Sequence, residues 1–294
     1  MSKITEQDII DSIASACQYI SFYHPEDFVK SMVEAYEKEK SESAKNAIGQ
    51  ILINSKMCAM GHRPLCQDTG SVNIFIKVGL KADLQLSRDL DEVLNAGVAK
   101  GYTDPDNTLR FSVVSDPAGE RKNTKDNTPA VIHFSVDANS DKLDITVAAK
   151  GGGSENKSKF AVLNPSDSIY DWVMDNVRQM GAGWCPPGIL GIGIGGNPEK
   201  SMLLAKEALM GHVDIHELKE RGPQNALEEL RLRLYEDINK IGIGAQGLGG
   251  LTTVVDVKIL DYPCHAASLP VAMIPNCAAT RHIHFELDGN GPAK

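Results

Sequence analysis

The sequence contains no Cys-x-x-Cys pair, although it carries six cysteines in 294 residues. That removes the paired-ligand signature of zinc fingers and ferredoxin-type sites. No apolar run approaches the roughly 18 residues that a membrane helix needs. The start, MSKITEQDIIDSIASAC, lacks the basic segment and apolar stretch of a secretory signal. A soluble cytoplasmic protein is therefore expected. Positive charge is not in excess either: 30 Lys and Arg face 39 Asp and Glu, for a formal net charge of −9. Bulk charge gives no support for binding nucleic acid or an acidic membrane surface. It does not exclude an anionic small substrate, because a few local Arg or Lys residues can outweigh the bulk field inside a cleft. There is no repeat, no low-complexity tract and no clear linker.

Hydrophobic residues make up 42% of the chain, enough core for one large domain or two modest ones. Ile4, Ile9, Ile10, Ile13 and Ala14 recur near helical spacing. Pro25 sits just inside a second helical start, with Glu26 and Asp27 in the first turn. A third helical run extends from Ala44 to Met57. Ser71 to Val78 is apolar and β-branched, as in a strand, and Leu86 to Val98 is again helical. Val131–Val136 and Leu143–Ala148 read as strands joined by the polar turn Asp137–Asp141. Ser166-Asp167 can cap a helix running to about Met180. Ile189 to Ile194 is a short buried strand, and Asn197-Pro198-Glu199 opens a further helix. Leu227–Ile238 is helical; Leu251–Leu260, Leu269–Ile274 and Ile283–Leu287 are strands. The expected class is α+β: a helical N-terminal segment followed by mixed β-sheets with surrounding helices. One unit over residues 1–294 is expected, with a subdomain break near 115–128 as the alternative.

Three glycine-rich segments invite nucleotide readings. Lys150-Gly-Gly-Gly-Ser-Glu-Asn-Lys-Ser158 nearly spells a P-loop, but Asn156 stands where a glycine is needed. Its bare amides beside Lys150 and Lys157 suggest an anion cradle. Gly191-Ile-Gly193-Ile-Gly-Gly196 is a formal dinucleotide pattern, with Asp214 and Glu217 downstream. A dinucleotide fold would place a second strand before such an acid, and the intervening segment is helical and then polar. Close packing of backbone, against a bound cofactor, is the better reading. Gly242-Ile-Gly244-Ala-Gln-Gly247 matches the same pattern between a helix and a strand, the wrong order for a dinucleotide turn.

The cysteines separate by context. Cys17 lies on the first helix and Cys58 ends the third, as small buried hydrophobes do. Cys264 precedes His265 in a loop and is ambiguous. Cys66 lies in Arg63-Pro-Leu-Cys-Gln-Asp-Thr-Gly70, Cys185 in Gly181-Ala-Gly-Trp-Cys-Pro-Pro-Gly188, and Cys277 in Pro275-Asn-Cys-Ala-Ala-Thr-Arg281. Each is a loop thiol beside polar or rigid neighbours. A [4Fe–4S] cluster held by three thiolates leaves one iron open, by the logic that leaves catalytic zinc an open position. Water elimination from a 2-hydroxy acid needs such a Lewis acid, because hydroxide leaves poorly and charge builds on the adjacent carboxylate.

Cys-Gln-Asp-Thr-Gly, Ala-Lys-Gly-Gly-Gly-Ser-Glu-Asn-Lys, Trp-Cys-Pro-Pro and Asn-Cys-Ala-Ala-Thr-Arg resemble the α region of class I, iron–sulfur-dependent fumarases over nearly the whole chain. The resemblance implies that Cys66, Cys185 and Cys277 ligate a [4Fe–4S] cluster. It implies that Asp68 is catalytic and that Gln67, Arg110 and His265 contact substrate. The glycine loop around Gly152 would approach a substrate carboxylate through its backbone. The implied reaction is the reversible hydration of fumarate to (S)-malate.

The complete family enzyme also has a β region, with a Lys-Pro-Thr-Thr-type motif carrying the catalytic threonine, further arginines and a lysine. Nothing here matches it. The chain is thus expected to need a β domain or β subunit, to assemble as a homo-oligomer of αβ units, and to have little hydration activity alone. The tartrate dehydratase α chain is similar but lacks the Lys-Gly-Gly-Gly-Ser-Glu-Asn-Lys form, which favours fumarate. Mesaconate hydration, a nucleotide-binding module on Gly191–Gly196, and a non-catalytic iron–sulfur scaffold are the competing readings.

Overall fold

A computed structural model of the chain describes residues 3–293. In order, the elements are β1 (Lys3–Thr5), α1 (Glu6–Phe22), α2 (Glu26–Lys38), α3 (Glu42–Gly61), β2 (Ser71–Gly79), β3 (Asp83–Gln85), α4 (Leu90–Tyr102), β4 (Val131–Asp137), β5 (Leu143–Lys150), α5 (Gly152–Glu155), β6 (Lys159–Leu163), α6 (Ile169–Met180), β7 (Gly188–Gly195), α7 (Pro198–Ala208), α8 (Ile215–Arg221), α9 (Ala226–Lys240), β8 (Val254–Tyr262), β9 (Leu269–Asn276) and β10 (His282–Leu287). The class is α+β, as expected. No helix among the described residues is long and apolar enough to cross a membrane.

The chain divides into two compact units. The first runs through His24, resumes over Met57–Gly152 and closes from Arg281 onward; the second holds Pro25–Lys56 and Gly153–Thr280. The boundaries fall at or inside helices and strand ends, so no linker marks them in the sequence. The 115–128 segment lies within the first unit.

In the first unit a sheet runs in the order β10-β5-β2-β4. The expected pairing of β4 with β5 does not form; β2 lies between them, parallel to β4 and antiparallel to β5. Burial explains the order. Val72, Ile74 and Ile76 of β2 are buried, which suits a central strand, whereas β4 exposes Val131, Phe134 and Val136 at the edge. Helices α1 and α4 cover one face, packing Ile9, Ile13, Val93, Leu94 and Val98 on Ile74, Ile145 and Val147. The opposite face is polar, with Asp144 2.8 Å from His284 and Lys142 2.7 Å from Glu286. That is the usual one-sided burial of a sheet with antiparallel pairs. Helix α1 starts on a reciprocal cap: Thr5 Oγ1 accepts from Asp8 N at 3.1 Å, and Asp8 Oδ2 accepts from Thr5 N at 3.0 Å.

The second unit holds a sheet in the order β6-β9-β7-β8. Strand β7 is buried along its whole length. Leu190, Ile192 and Ile194 face α6 and α9, among Val173, Val177, Leu234 and Ile238. The other face meets α2, α3 and α7 through Ile189, Phe28, Ile48, Ala205 and Leu209. Helix α7 starts as its sequence predicts, with Asn197 Oδ1 accepting from Lys200 N at 3.2 Å. The cap of α6 is Ser168 rather than Ser166-Asp167, its Oγ accepting from Asp171 N at 3.1 Å.

The Gly191–Gly196 pattern has a packing explanation. A Cβ on Gly191 would sit 2.2 Å from Ala205 O, and one on Gly193 2.0 Å from Ser201 O. These glycines lie inside the strand and let α7 rest directly on it, whereas a dinucleotide loop follows its strand. Asp214, one of the two acids about twenty residues downstream, is tied to Lys258 Nζ at 2.6 Å and to Arg231. Asp256, wholly buried on β8, takes Arg231 at 2.8 Å and the Asp214 amide at 3.0 Å. These four charges form one network, buried at Asp256 and Lys258 and open to solvent at Asp214.

Candidate active site

The loop from Leu65 to Gly70 enters β2 in the first unit. Gly70 has φ +81°, and a Cβ there would fall 2.7 Å from Lys150 O, so only glycine fits. Asp68 is half-buried and its carboxylate is fully engaged. Oδ1 accepts from Gly70 N at 2.9 Å and from Ser112 Oγ at 3.2 Å. Oδ2 accepts from Gly152 N at 2.7 Å.

The backbone of this loop is held just as firmly. Tyr102 OH donates to Thr69 O at 3.0 Å, and burial raises the phenol pKa, which keeps it a donor. Asn127 is wholly buried with φ +64°. Its Nδ2 donates to Gly70 O at 2.9 Å and its Oδ1 accepts from Ser112 N at 2.7 Å. Arg281 Nη1 donates to Asp68 O at 2.7 Å. Thr69 Oγ1 donates to Arg110 O. Arg281 ends a motif quoted above without a role assigned from sequence, and Ser112 lies two residues after Arg110. Asn127 and Tyr102 carry no sequence signal of this kind.

The first unit therefore gathers Gln67, Asp68, Arg110 and Gly152 around one loop. Gln67 and Arg110 are exposed. The Arg110 guanidinium forms no ion pair among the described residues, so it is available to an external anion. Gly152 does not lie in an open anion cradle. Residues Gly152–Glu155 wind into one helical turn, with Lys157 N donating to Ser154 O and Ser158 N to Glu155 O. Lys150 is buried at the end of β5, and Lys157 packs against Gly183, where a Cβ would lie 2.7 Å from Lys157 Cε.

In the second unit the loops of Cys185 and Cys277 are joined by Ala278 N donating to Cys185 O at 3.0 Å. Cys185 is exposed with φ +58°. Its loop is pinned by Gln246, whose Nε2 and N donate to Pro186 O at 2.7 and 2.8 Å. Thr280 Oγ1 closes the Cys277 turn on Cys277 O at 3.0 Å. His265 is exposed, not packed in a core. Its Nδ1 accepts from Ala267 N at 3.1 Å, which leaves the ring proton on Nε2.

Burial sorts the six thiols. Cys17 is buried and its thiol is pushed up to about 12; burial raises Cys58 as well. Thiols held in the protonated form are poor metal ligands and poor nucleophiles. Cys66 and Cys277 are half-exposed, and Cys185 and Cys264 exposed. Cys264 Sγ donates to Ser268 O at 3.2 Å within its own turn. Three soft, accessible thiols on fixed loops suit an iron–sulfur cluster in donor chemistry. Among the described residues, no three His, Cys, Asp or Glu side chains are gathered tightly enough to hold a single metal ion.

The model of the family described as fumarate hydratase (Fumerase) matches residues 10–286. A protein of Methanocaldococcus jannaschii, named provisionally as L(+)-tartrate dehydratase subunit alpha, is 36% identical over 279 residues, covering 93% of this chain and 95% of that one. The L(+)-tartrate dehydratase subunit alpha of Escherichia coli strain K12 is 28% identical over 300 residues, covering 98% of this chain and 96% of that one. The match spans the Asp68 loop, the glycine turn and all three candidate cysteine loops, and the chain belongs to the fumarate hydratase (Fumerase) family of hydro-lyases.

Proposed function

We propose that this chain is the α subunit of an iron–sulfur hydro-lyase that hydrates fumarate to (S)-malate reversibly, in the cytoplasm, together with a β partner. The observation that carries the reading is the arrangement of Asp68. Its carboxylate is aligned by Gly70 N, Ser112 Oγ and Gly152 N, beside an exposed glutamine and an exposed, unpaired arginine.

Asp68 holds or moves the proton at its carboxylate. Arg110 and Gln67 bind the dicarboxylate ends, Arg110 as a charged fork. The Gly152 amide, which donates to Asp68 Oδ2, would be shared with a substrate carboxylate. His265 presents Nε2–H as a donor that orients substrate. Cys66, Cys185 and Cys277 would hold the [4Fe–4S] cluster. Bound, the cluster supplies a Lewis acid for the departing hydroxyl. The similarity to proteins named subunit alpha supports a β partner that completes the site, and a homo-oligomer of αβ units follows as an expectation.

A second reading, L(+)-tartrate dehydration, is favoured by the names of the two relatives above. Both reactions remove water from a four-carbon 2-hydroxy diacid, so the same Asp68 geometry serves either. The Lys150–Lys157 motif supports fumarate. Mesaconate differs from fumarate by one methyl, which a pocket discriminates by about 1–3 kcal/mol. Turnover of fumarate, mesaconate and L-tartrate by the reconstituted αβ complex under anaerobic conditions tests the choice. The fumarate reading requires the highest kcat/KM on fumarate; a preference for tartrate replaces it with the second reading.

A further inference from the structure

We infer that Arg281 is a positioning residue for Asp68, acting on the carboxylate through its main chain and across Gly151. This rests on the hydro-lyase reading of the site.

Arg281 is 2% exposed, far too buried to be a surface arginine. A buried guanidinium ordinarily has a carboxylate partner, because an uncompensated buried charge is costly. Arg281 makes no ion pair among the described residues, and its side chain donates one hydrogen bond, Nη1 to Asp68 O at 2.7 Å. Its Nε–H is buried with no acceptor. The protein therefore sustains a desolvated, under-satisfied cation at this one place.

The place is informative. A Cβ on Gly151 would lie 3.4 Å from Arg281 Nη2 and 3.3 Å from Asp68 Oδ2. The guanidinium and the carboxylate thus flank the same glycine, close enough to feel each other's charge yet without closing into an ion pair. Such a pair would draw Asp68 off Gly70, Ser112 and Gly152. Gly151 lies between them, and a methyl there would press on both groups, each having to give by a few tenths of an ångström. The main chain of Arg281 is itself fixed, because Ala149 N donates to Arg281 O at 3.1 Å where β10 joins β5. A rigid strand end thereby aims one donor at the Asp68 carbonyl and one positive charge at its carboxylate. Deep burial argues against direct contact with substrate, so the role is orientation.

The test uses this chain assembled with its β partner under anaerobic conditions. It compares wild type with Arg281→Lys, Arg281→Met and Gly151→Ala. Circular dichroism reports fold and visible absorbance reports the cluster. Arg281→Met is expected to keep the cluster and to lower kcat about 100-fold on fumarate, the scale of a misplaced catalytic group, with KM nearly unchanged. Arg281→Lys retains a donor and the charge and is expected to recover about tenfold of that loss. Gly151→Ala is expected to lower kcat while the cation remains. Should Arg281→Met not fold, the other two decide, and wild-type kcat in both overturns the inference. Arg281→Lys no better than Arg281→Met would reduce Arg281 to packing, and a raised KM with kcat intact would make it a substrate anchor; either overturns positioning. If the wild-type complex turns over none of fumarate, mesaconate and tartrate, the hydro-lyase reading fails instead. Amide exchange at Gly70 and Gly152 then decides alone. Faster exchange in Arg281→Met supports the orientation of Asp68, and unchanged exchange overturns it.

Discussion

Asp68 Oδ2 accepts the amide of Gly152 at 2.7 Å, which joins the Cys66–Gly70 loop to the glycine turn after β5. Both carboxylate oxygens are already committed to donors within one unit, so the side chain has one orientation. Preset geometry of this kind is what a proton-transferring group needs. Asp68→Asn keeps the two contacts made by Oδ1, turns its amide nitrogen toward Gly152 N in place of an acceptor, and removes the ionisable group. It is expected to lower kcat by about 10²–10⁴-fold while the melting temperature of the complex changes little. The measurement is steady-state hydration beside a thermal melt.

Burial assigns the thiols different fates. Cys66→Ser, Cys185→Ser and Cys277→Ser are each expected to abolish the visible absorbance of the cluster, and with it the activity. Cys17→Ser places a hydroxyl where a thiol is buried; it is expected to keep the cluster and to cost about 1–3 kcal/mol of stability. An open iron should also make the cluster sensitive to oxygen. Anaerobic absorbance before and after air exposure, with activity followed in parallel, checks both expectations.

The network of Asp214, Arg231, Asp256 and Lys258, buried at Asp256, should contribute to the stability of the second unit. Asp256→Asn leaves Arg231 and Lys258 with one carboxylate between them. Breaking a buried ionic network of this kind costs about 3–5 kcal/mol. A urea titration should show a clearly lower midpoint with an intact circular dichroism spectrum in water. An unchanged midpoint would mean that water screens the network.

Gly193 tests the packing account of the glycine-rich strand. A methyl there would meet Ser201 O at 2.0 Å, so Gly193→Ala must push α7 off β7. Overpacking of this sort costs about 1–3 kcal/mol. A chemical melt reads it, and calorimetric titration of wild type with NAD or ATP should give no heat.

Glu228 carries a pH signature. Its two bonds to the Arg221 guanidinium, with the Gln224 amide, lower its carboxyl from 4.5 to about 2. A carboxyl whose folded pKa is depressed contributes stability above its unfolded pKa and loses it as pH falls toward the folded value. The difference in melting temperature between wild type and Glu228→Gln should be full above pH 4.5 and fade toward pH 2. The pair lies at the surface, with Glu228 only half-buried, so the difference should be small and shrink with salt.

Much of this was legible in the sequence because it depends on local signals. Asn197-Pro198 announces a helix start, and β-branched runs announce β2 and β7. The context of Cys66, Cys185 and Cys277 separated them from buried Cys17 and Cys58. Order within a sheet was not legible. Strands β4 and β5 are neighbours in sequence, yet β2 lies between them because it can be buried along more of its length. The two units were hidden because the chain passes between them several times, leaving no linker. Strand β6 escaped notice, being a five-residue edge strand with alternating exposure. Asn127, Tyr102 and Arg281 were missed for a different reason. Each acts on the main chain of the Asp68 loop, and a contact with a carbonyl leaves no mark on the residue type that supplies it.

The most direct test of the account is the anaerobic activity of this chain reconstituted with its β partner, assayed on fumarate with wild type, Asp68→Asn and Cys277→Ser side by side. The account predicts rapid hydration to (S)-malate by wild type, loss of turnover with the cluster retained in Asp68→Asn, and loss of both in Cys277→Ser. Undiminished hydration by Cys277→Ser lacking its cluster would contradict it.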